Sequence, residues 1–149
     1  MTDRPTAPCR ADYPLFREIT TRWMDNDVYG HVNNAVYYSF FDTVVSGYLL
    51  ETGAVDPHRG QESGAVIGLA VESKCNYFAS AGFPDLITGG LRVDRIGNSS
   101  VQYGVGIFAN DEDQAAAAGH FIHVYVDAES RRPVPIPDHI RRVLDPLVG

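Results

Sequence analysis

One stretch limits the folds open to this chain. Asn34 to Glu51, "NAVYYSFFDTVVSGYLLE", runs for eighteen residues with no proline and no Asp-Gly break, far too long for a strand. The spacing therefore predicts a helix. Its polar residues Ser39, Asp42, Thr43 and Ser46 fall at i, i+3, i+4 and i+7, one narrow stripe. Val36, Tyr37, Phe40, Phe41, Val44, Val45, Tyr48 and Leu49 fill the rest with apolar surface. A helix apolar over most of its circumference must be buried on most sides. At 1.5 Å per residue it is about 27 Å long, so a broad surface has to wrap it.

The remaining sequence supplies that surface in alternating segments. "AVIGLAVESKCNYF" sets Ala65, Ile67, Leu69, Val71, Cys75 and Tyr77 on one face and Glu72, Lys74 and Asn76 on the other. "DLITGGLRVDRIG" opposes Ile87, Leu91 and Val93 to Thr88, Arg92 and Asp94, and "SVQYGVGIF" groups Val101, Tyr103, Val105 and Ile107. "GHFIHVYVDA" is β-branched and aromatic. Period-2 patterning of this kind marks strands with one face on a core. "RIGNSS", "ANDED" and "DAESRRP" have turn chemistry between them. Before the helix, "LFREITTRW" reads as a first strand. The tail "IPDHIRRVLDPL" predicts a short helix opened by proline and stopped at Pro146. The order is strand, long helix, then four strands. That is an α+β domain with an antiparallel sheet curled around one central helix. At 149 residues the chain is one domain, 13–149, after a polar start, "MTDRPTAPCRAD" (1–12), expected to fray.

Net charge is −7, and Lys74 is the only lysine. Such a balance opposes nonspecific binding to nucleic acid, which depends on neutralising phosphates. A few arginines gripping one phosphorylated ligand remain compatible with it. Cys9 and Cys75, two cysteines far apart, do not make a disulfide framework. With no signal peptide and no long uncharged apolar run, the expected location is the cytoplasm, with no membrane contact. "NSS" at 98–100 matches a glycosylation sequon, which would go unused there.

The stretch before the helix, "RWMDNDVYGHVNN", gathers Asp25, Asp27, His31, Asn33 and Asn34 on one turn. Either asparagine is a natural helix cap, and the first N–H groups of the helix have no internal partner. Those donors, at the positive end of the helix, suit an oxygen that becomes negative during reaction. Gly30 permits a sharp bend or a close approach to a ligand. A carboxylate as base or nucleophile beside amide donors is the equipment for attack on an acyl carbonyl.

"RWMDNDVYGHVNNAVYY" resembles the D-x-D-x-x-G-H-V-N-N-x-x-Y motif of hot-dog-fold acyl-CoA thioesterases of the 4-hydroxybenzoyl-CoA thioesterase-like group. "FPD", "RIGNSSV" and "HVYVDAESRRPVPIP" extend the likeness over nearly the whole chain from Phe16. The resemblance implies the hot-dog fold, with a five-stranded antiparallel sheet around the helix, and dimers formed through sheets with acyl-CoA sites between protomers. It implies Asp27 as the catalytic carboxylate, attacking the thioester carbonyl or activating a water. It also implies Asn34 as the residue whose backbone N–H polarises that carbonyl, with a second donor near Ile67 and Gly68. No cofactor is implied, coenzyme A being part of the substrate.

The plainer readings stand beside these. Asp27 could simply make an Asx-turn. Asp25 is expected to be structural, accepting turn N–H groups, and His31 to orient the turn. Metal ligation by Asp25, Asp27 and His31 lacks a further His or Cys at supporting spacing. His120 and His123, three apart on a strand, should point to opposite faces. Asp42 and Glu51 read as solvated or capping positions of the helix. Tyr29, Tyr37 and Tyr38 fit core or interface better than the substrate pocket, for which Tyr29 is kept as a candidate. Arg92, Arg95, Arg131 and Arg132, with Asn98, Ser99 and Ser100, are candidates for the phosphates of coenzyme A. Two rival functions remain: a non-catalytic acyl-thioester-binding module and a hot-dog enoyl-thioester hydratase. The expected partners are a small-molecule thioester and further copies of the chain, as dimer or tetramer.

Overall fold

In the computed structural model, residues 5–56 and 65–149 are described. Strand β1 (Leu15–Thr20) leads through a turn into helix α1 (Asn34–Glu51), the span expected from its pattern. Strands β2 (Val66–Tyr77), β3 (Leu86–Ile96), β4 (Ser100–Ala109) and β5 (Ala117–Asp127) follow, and then helix α2 (Asp138–Leu144), preceded by Pro137. The five strands form one antiparallel sheet in the order β1-β3-β4-β5-β2, so β1 and β2 are its edges.

Helix α1 lies in the hollow of the sheet. Phe41, Val44 and Val45 are fully buried against Leu91, Val93, Val101, Tyr103, Val105 and Ile107. The stripe of Ser39, Asp42 and Thr43 stays exposed, and Asp42 accepts a hydrogen bond from Ser46 Oγ at 3.2 Å. Glu51 forms an ion pair with Arg17 of β1. The two strand histidines part as expected. His120 meets Glu72 at 2.7 Å on the outer face, while the His123 ring packs on Tyr103 of the inner face.

Strand β2 departs from the simple alternation. Gly68 and Ala70 lie opposite Tyr125 and His123, and the register then slips between Ala70 and Glu72, so that Ser73 opposes Phe121 and Cys75 opposes Gly119. Phe121 touches Phe41 of the helix, and the Tyr125 ring lies 3.3 Å from where a Cβ on Gly68 would stand. Gly68 and Ala70 therefore share the inner face with Ser73, Cys75 and Tyr77, and Ile67 and Leu69 point outward. The expectation of one face for Ile67, Leu69, Cys75 and Tyr77 fails because a β-bulge at Val71 adds one residue and inverts all that follows.

The segment expected to fray is docked from Cys9 onward. Cys9 bridges to Gln114, and the Arg10 guanidinium donates to Asn110 O (2.7 Å) and Glu112 O (2.9 Å). Tyr13 is buried on the outer face of the sheet, its ring over Gly90 and Gly106, where a Cβ would come within 2.7 and 2.6 Å of ring or hydroxyl atoms. Two distant glycines make that seat, which is why the local sequence does not announce it.

Candidate active site

Residues 25–33 fold into a small hairpin. Asn26 and Val32 pair as an antiparallel bridge, Asn33 N–H donates to Asp25 O at 2.8 Å, and Asp27 N–H donates to His31 O at 2.7 Å. Gly30 closes the tip with φ at +81°, a left-handed conformation that disfavours any side chain. Directly opposed residues of such a pair lie about 5 Å apart. The Asp27 and Asn34 Cα atoms are therefore separated by roughly 10 Å, since the hairpin turns the one back toward the other.

The two aspartates are used differently. Asp25, 1% exposed, accepts Arg22 N–H at 2.8 Å on one oxygen and the Arg22 guanidinium at 2.9 Å on the other. Both its oxygens are committed to holding the turn. Asp27 is half-buried, and its Oδ1 accepts Tyr29 N–H (2.8 Å) and His31 N–H (3.2 Å). Its Oδ2 has no hydrogen-bond partner among the described residues. One oxygen thus makes the Asx-turn and the other is left over. The His31 imidazole and the Tyr29 side chain are exposed at the tip, next to Val28, which is 93% exposed.

At the helix start Asn33 is the cap, its side chain accepting Ala35 N–H at 3.0 Å. Val36 N–H reaches Asn33 O at 2.9 Å. Asn34 N–H, by its place in the first turn, has no intrahelical acceptor. Tyr77, from the inner face of β2, donates from its hydroxyl to Asn34 O at 3.2 Å. Beside it, burial pushes the Cys75 thiol up to about 11, so it stays protonated near neutrality. Asn33→Ala is expected to cost about 1 kcal/mol of stability through the lost cap. Urea unfolding should show this as a lower midpoint at unchanged slope.

The hairpin is clamped to the loop between β2 and β3, largely by residues the sequence does not single out. Val32 N–H donates to Ala81 O at 2.7 Å, and Asn26 Oδ1 accepts Phe83 N–H at 2.9 Å. Gly82 lets the chains touch: a Cβ there would stand 2.6 Å from Gly30 O. Of the "FPD" stretch that carried part of the resemblance, Phe83 supplies one contact of this clamp, and Ala81 and Gly82 just before it supply the others. Nothing in the sequence links it to residues 26–30, because the contact spans 57 positions.

The other candidate residues sit elsewhere. Thr20 pairs with Leu86 and Tyr77 with Ala117 at the hairpin's end of the sheet, whereas Val66 pairs with Asp127 and Ser100 with Val124 at the opposite end. Eleven residues of β3 separate the two ends by roughly 30 Å. Ile67, Gly68, Arg95, Asn98, Ser99 and Ser100 belong to the far end. So do Arg131 and Arg132, in the turn after β5. Arg92 is engaged already, to Asp94 at 2.7 Å and over the Tyr13 ring at 5.0 Å. Arg95, Arg131 and Arg132 form no ion pair among the described residues. Within one protomer, then, the predicted residues form two separate groups, Asp25–Asn34 and the far-end set.

Residues 21–144 match the family model of the thioesterase-like superfamily. The chain belongs to that superfamily. The PA5185 protein of Pseudomonas aeruginosa is 51% identical, covers 97% of this chain and 98% of its own, and superposes with a TM-score of 0.90. The PA2801 protein of the same organism, proposed to be a thioesterase, is 28% identical over 85% of this chain and 95% of its own, with a TM-score of 0.76. The 1,4-dihydroxy-2-naphthoyl-CoA thioesterase of Synechocystis shares the fold, with a TM-score of 0.80 at 17% identity over 89% of this chain and 96% of its own. No curated protein sequence matched. This thioesterase has the hot-dog fold, and among its described residues no helix is long and apolar enough to cross a membrane.

Proposed function

We propose that this thioesterase hydrolyses acyl-CoA, releasing a carboxylic acid and free coenzyme A, with Asp27 as the catalytic carboxylate. The observation that carries the reading is the division of labour on that side chain. Oδ1 fixes the turn, and Oδ2 has no hydrogen-bond partner among the described residues, on a hairpin whose base runs directly into the helix start at Asn34. A thioester carbonyl fits between them: about 3–3.5 Å for attack on carbon, and about 3 Å from its oxygen to the amide nitrogen.

Negative charge gathers on that oxygen as the carbonyl carbon becomes tetrahedral, and the N–H at the helix start stabilises it. The C–S bond then breaks and the electron pair leaves on sulfur as coenzyme A thiolate. Two routes share this geometry. Asp27 either bonds to the carbonyl carbon, giving an anhydride that water cleaves, or takes a proton from the water that attacks. Single turnover in oxygen-18 water separates them, since cleavage of the anhydride at the aspartyl carbonyl leaves the label in Asp27.

The two groups of residues come together if two copies join through their β2 edges. A two-fold axis near Val71 runs the strands antiparallel and turns the second sheet end for end. Ile67 and Gly68 of the partner subunit then face Asn76 and Cys75, and the partner's Arg95, Arg131 and Arg132 come alongside the hairpin, within reach of the nucleotide phosphates. Exposed Val71 and Tyr77 on an open edge support this pairing. The active form is accordingly a homodimer or a pair of such dimers, working in the cytoplasm. No resident cofactor or metal is part of the scheme.

A panel of aromatic, short-chain and long-chain acyl-CoAs, followed by release of free thiol, tests the function. Turnover of at least one class is expected. A panel left wholly intact by the purified protein would overturn the reading.

A further inference from the structure

We infer that Tyr77 is a positioning residue for thioester hydrolysis. Its hydroxyl anchors the first turn of α1 so that Asn34 N–H stays aimed at the thioester oxygen, and the bulge at Val71 turns it inward to do so. The inference rests on the proposed role of Asn34.

The anchoring is specific to one peptide unit. Tyr77 Oη donates to the carbonyl of Asn34 at 3.2 Å, and Asn33 Oδ1 accepts the N–H of Ala35 at 3.0 Å. Carbonyl and N–H belong to the same Asn34–Ala35 peptide, which is therefore held at both polar atoms. The N–H that would meet the substrate lies one peptide upstream, on the same rigidified residue. Fixing a donor in this way spares the reorganisation that a mobile one would undergo as charge develops.

The tyrosine is itself fixed. Its ring meets the buried ring of Tyr37 edge-on, with centroids 5.3 Å apart. Desolvation and the neighbouring Cys75 thiol raise its phenol well above the ordinary value, which keeps the proton on the donor. The bulge supplies the orientation. Side chains alternate along a strand, so without the extra residue at Val71 position 77 would face the outer side of the sheet.

Tyr77→Phe keeps the ring and removes only the donor. The expected result is a fall in kcat of about five- to ten-fold for every acyl-CoA the enzyme accepts, with KM within about two-fold and the melting temperature nearly unchanged. Backbone hydrogen exchange at Ala35 should speed up, because its peptide has lost one of two anchors. Wild-type kcat in this variant, or an effect confined to KM or to the order of preference among acyl groups, would overturn the inference and make Tyr77 a pocket wall. Unchanged exchange at Ala35 would overturn it as well. Failure of the hydrolase reading is distinct: it shows in the wild-type protein, as no turnover of any thioester.

Discussion

Asp27→Asn is expected to lower kcat by about a thousand-fold or more for every acyl-CoA that the wild type hydrolyses. The substitution is informative because the turn survives it. An asparagine Oδ1 can still accept both Tyr29 N–H and His31 N–H, since the two N–H groups now held by Asp27 Oδ1 need only one carbonyl oxygen. What disappears is the anionic Oδ2, which has no hydrogen-bond partner among the described residues. Circular dichroism and the melting temperature should therefore match wild type, and KM should change little. A variant with wild-type turnover would remove Asp27 from the chemistry altogether.

The second large effect is expected from Val71→Lys. Near the proposed two-fold axis this substitution brings two like charges together on paired edges, a device that proteins use to stop strands from associating. The chain should run as a monomer in light scattering at micromolar concentration. Its kcat/KM should fall by about a hundred-fold, since each hairpin then lacks the far end of a second sheet. Val71 is 60% exposed in the protomer, so the fold should tolerate the change. A monomer of undiminished activity would show that the site is complete within one chain.

The helix was legible because its signal is long. Eighteen unbroken residues and a four-residue polar stripe leave one reading, and the bounds Asn34–Glu51 follow. The hairpin was legible in part. A turn with acids and a left-handed glycine can be read from "DNDVYGH", but its attachment through Asn26, Ala81 and Gly82 is a long-range matter. Periodicity failed in β2 because one residue inserted into a strand leaves local composition unchanged and inverts everything beyond it. Ile67 and Tyr77 look alike in the sequence and face opposite ways in the fold. The arginines could not be ranked from sequence either. Only coordinates distinguish Arg92, already held by Asp94, from Arg95, which has no ion pair among the described residues.

Tyr13 and Arg10 bear on assembly as well as on folding. With the middle of its back filled by an aromatic ring seated on bare glycine backbone, the sheet offers no flat plate of strands there for another to lie upon. A third and fourth subunit stacking from that side would meet the chain's own leading segment first. What a further copy would meet on this surface is set by Cys9, Arg10 and Tyr13 and not by the strands beneath them.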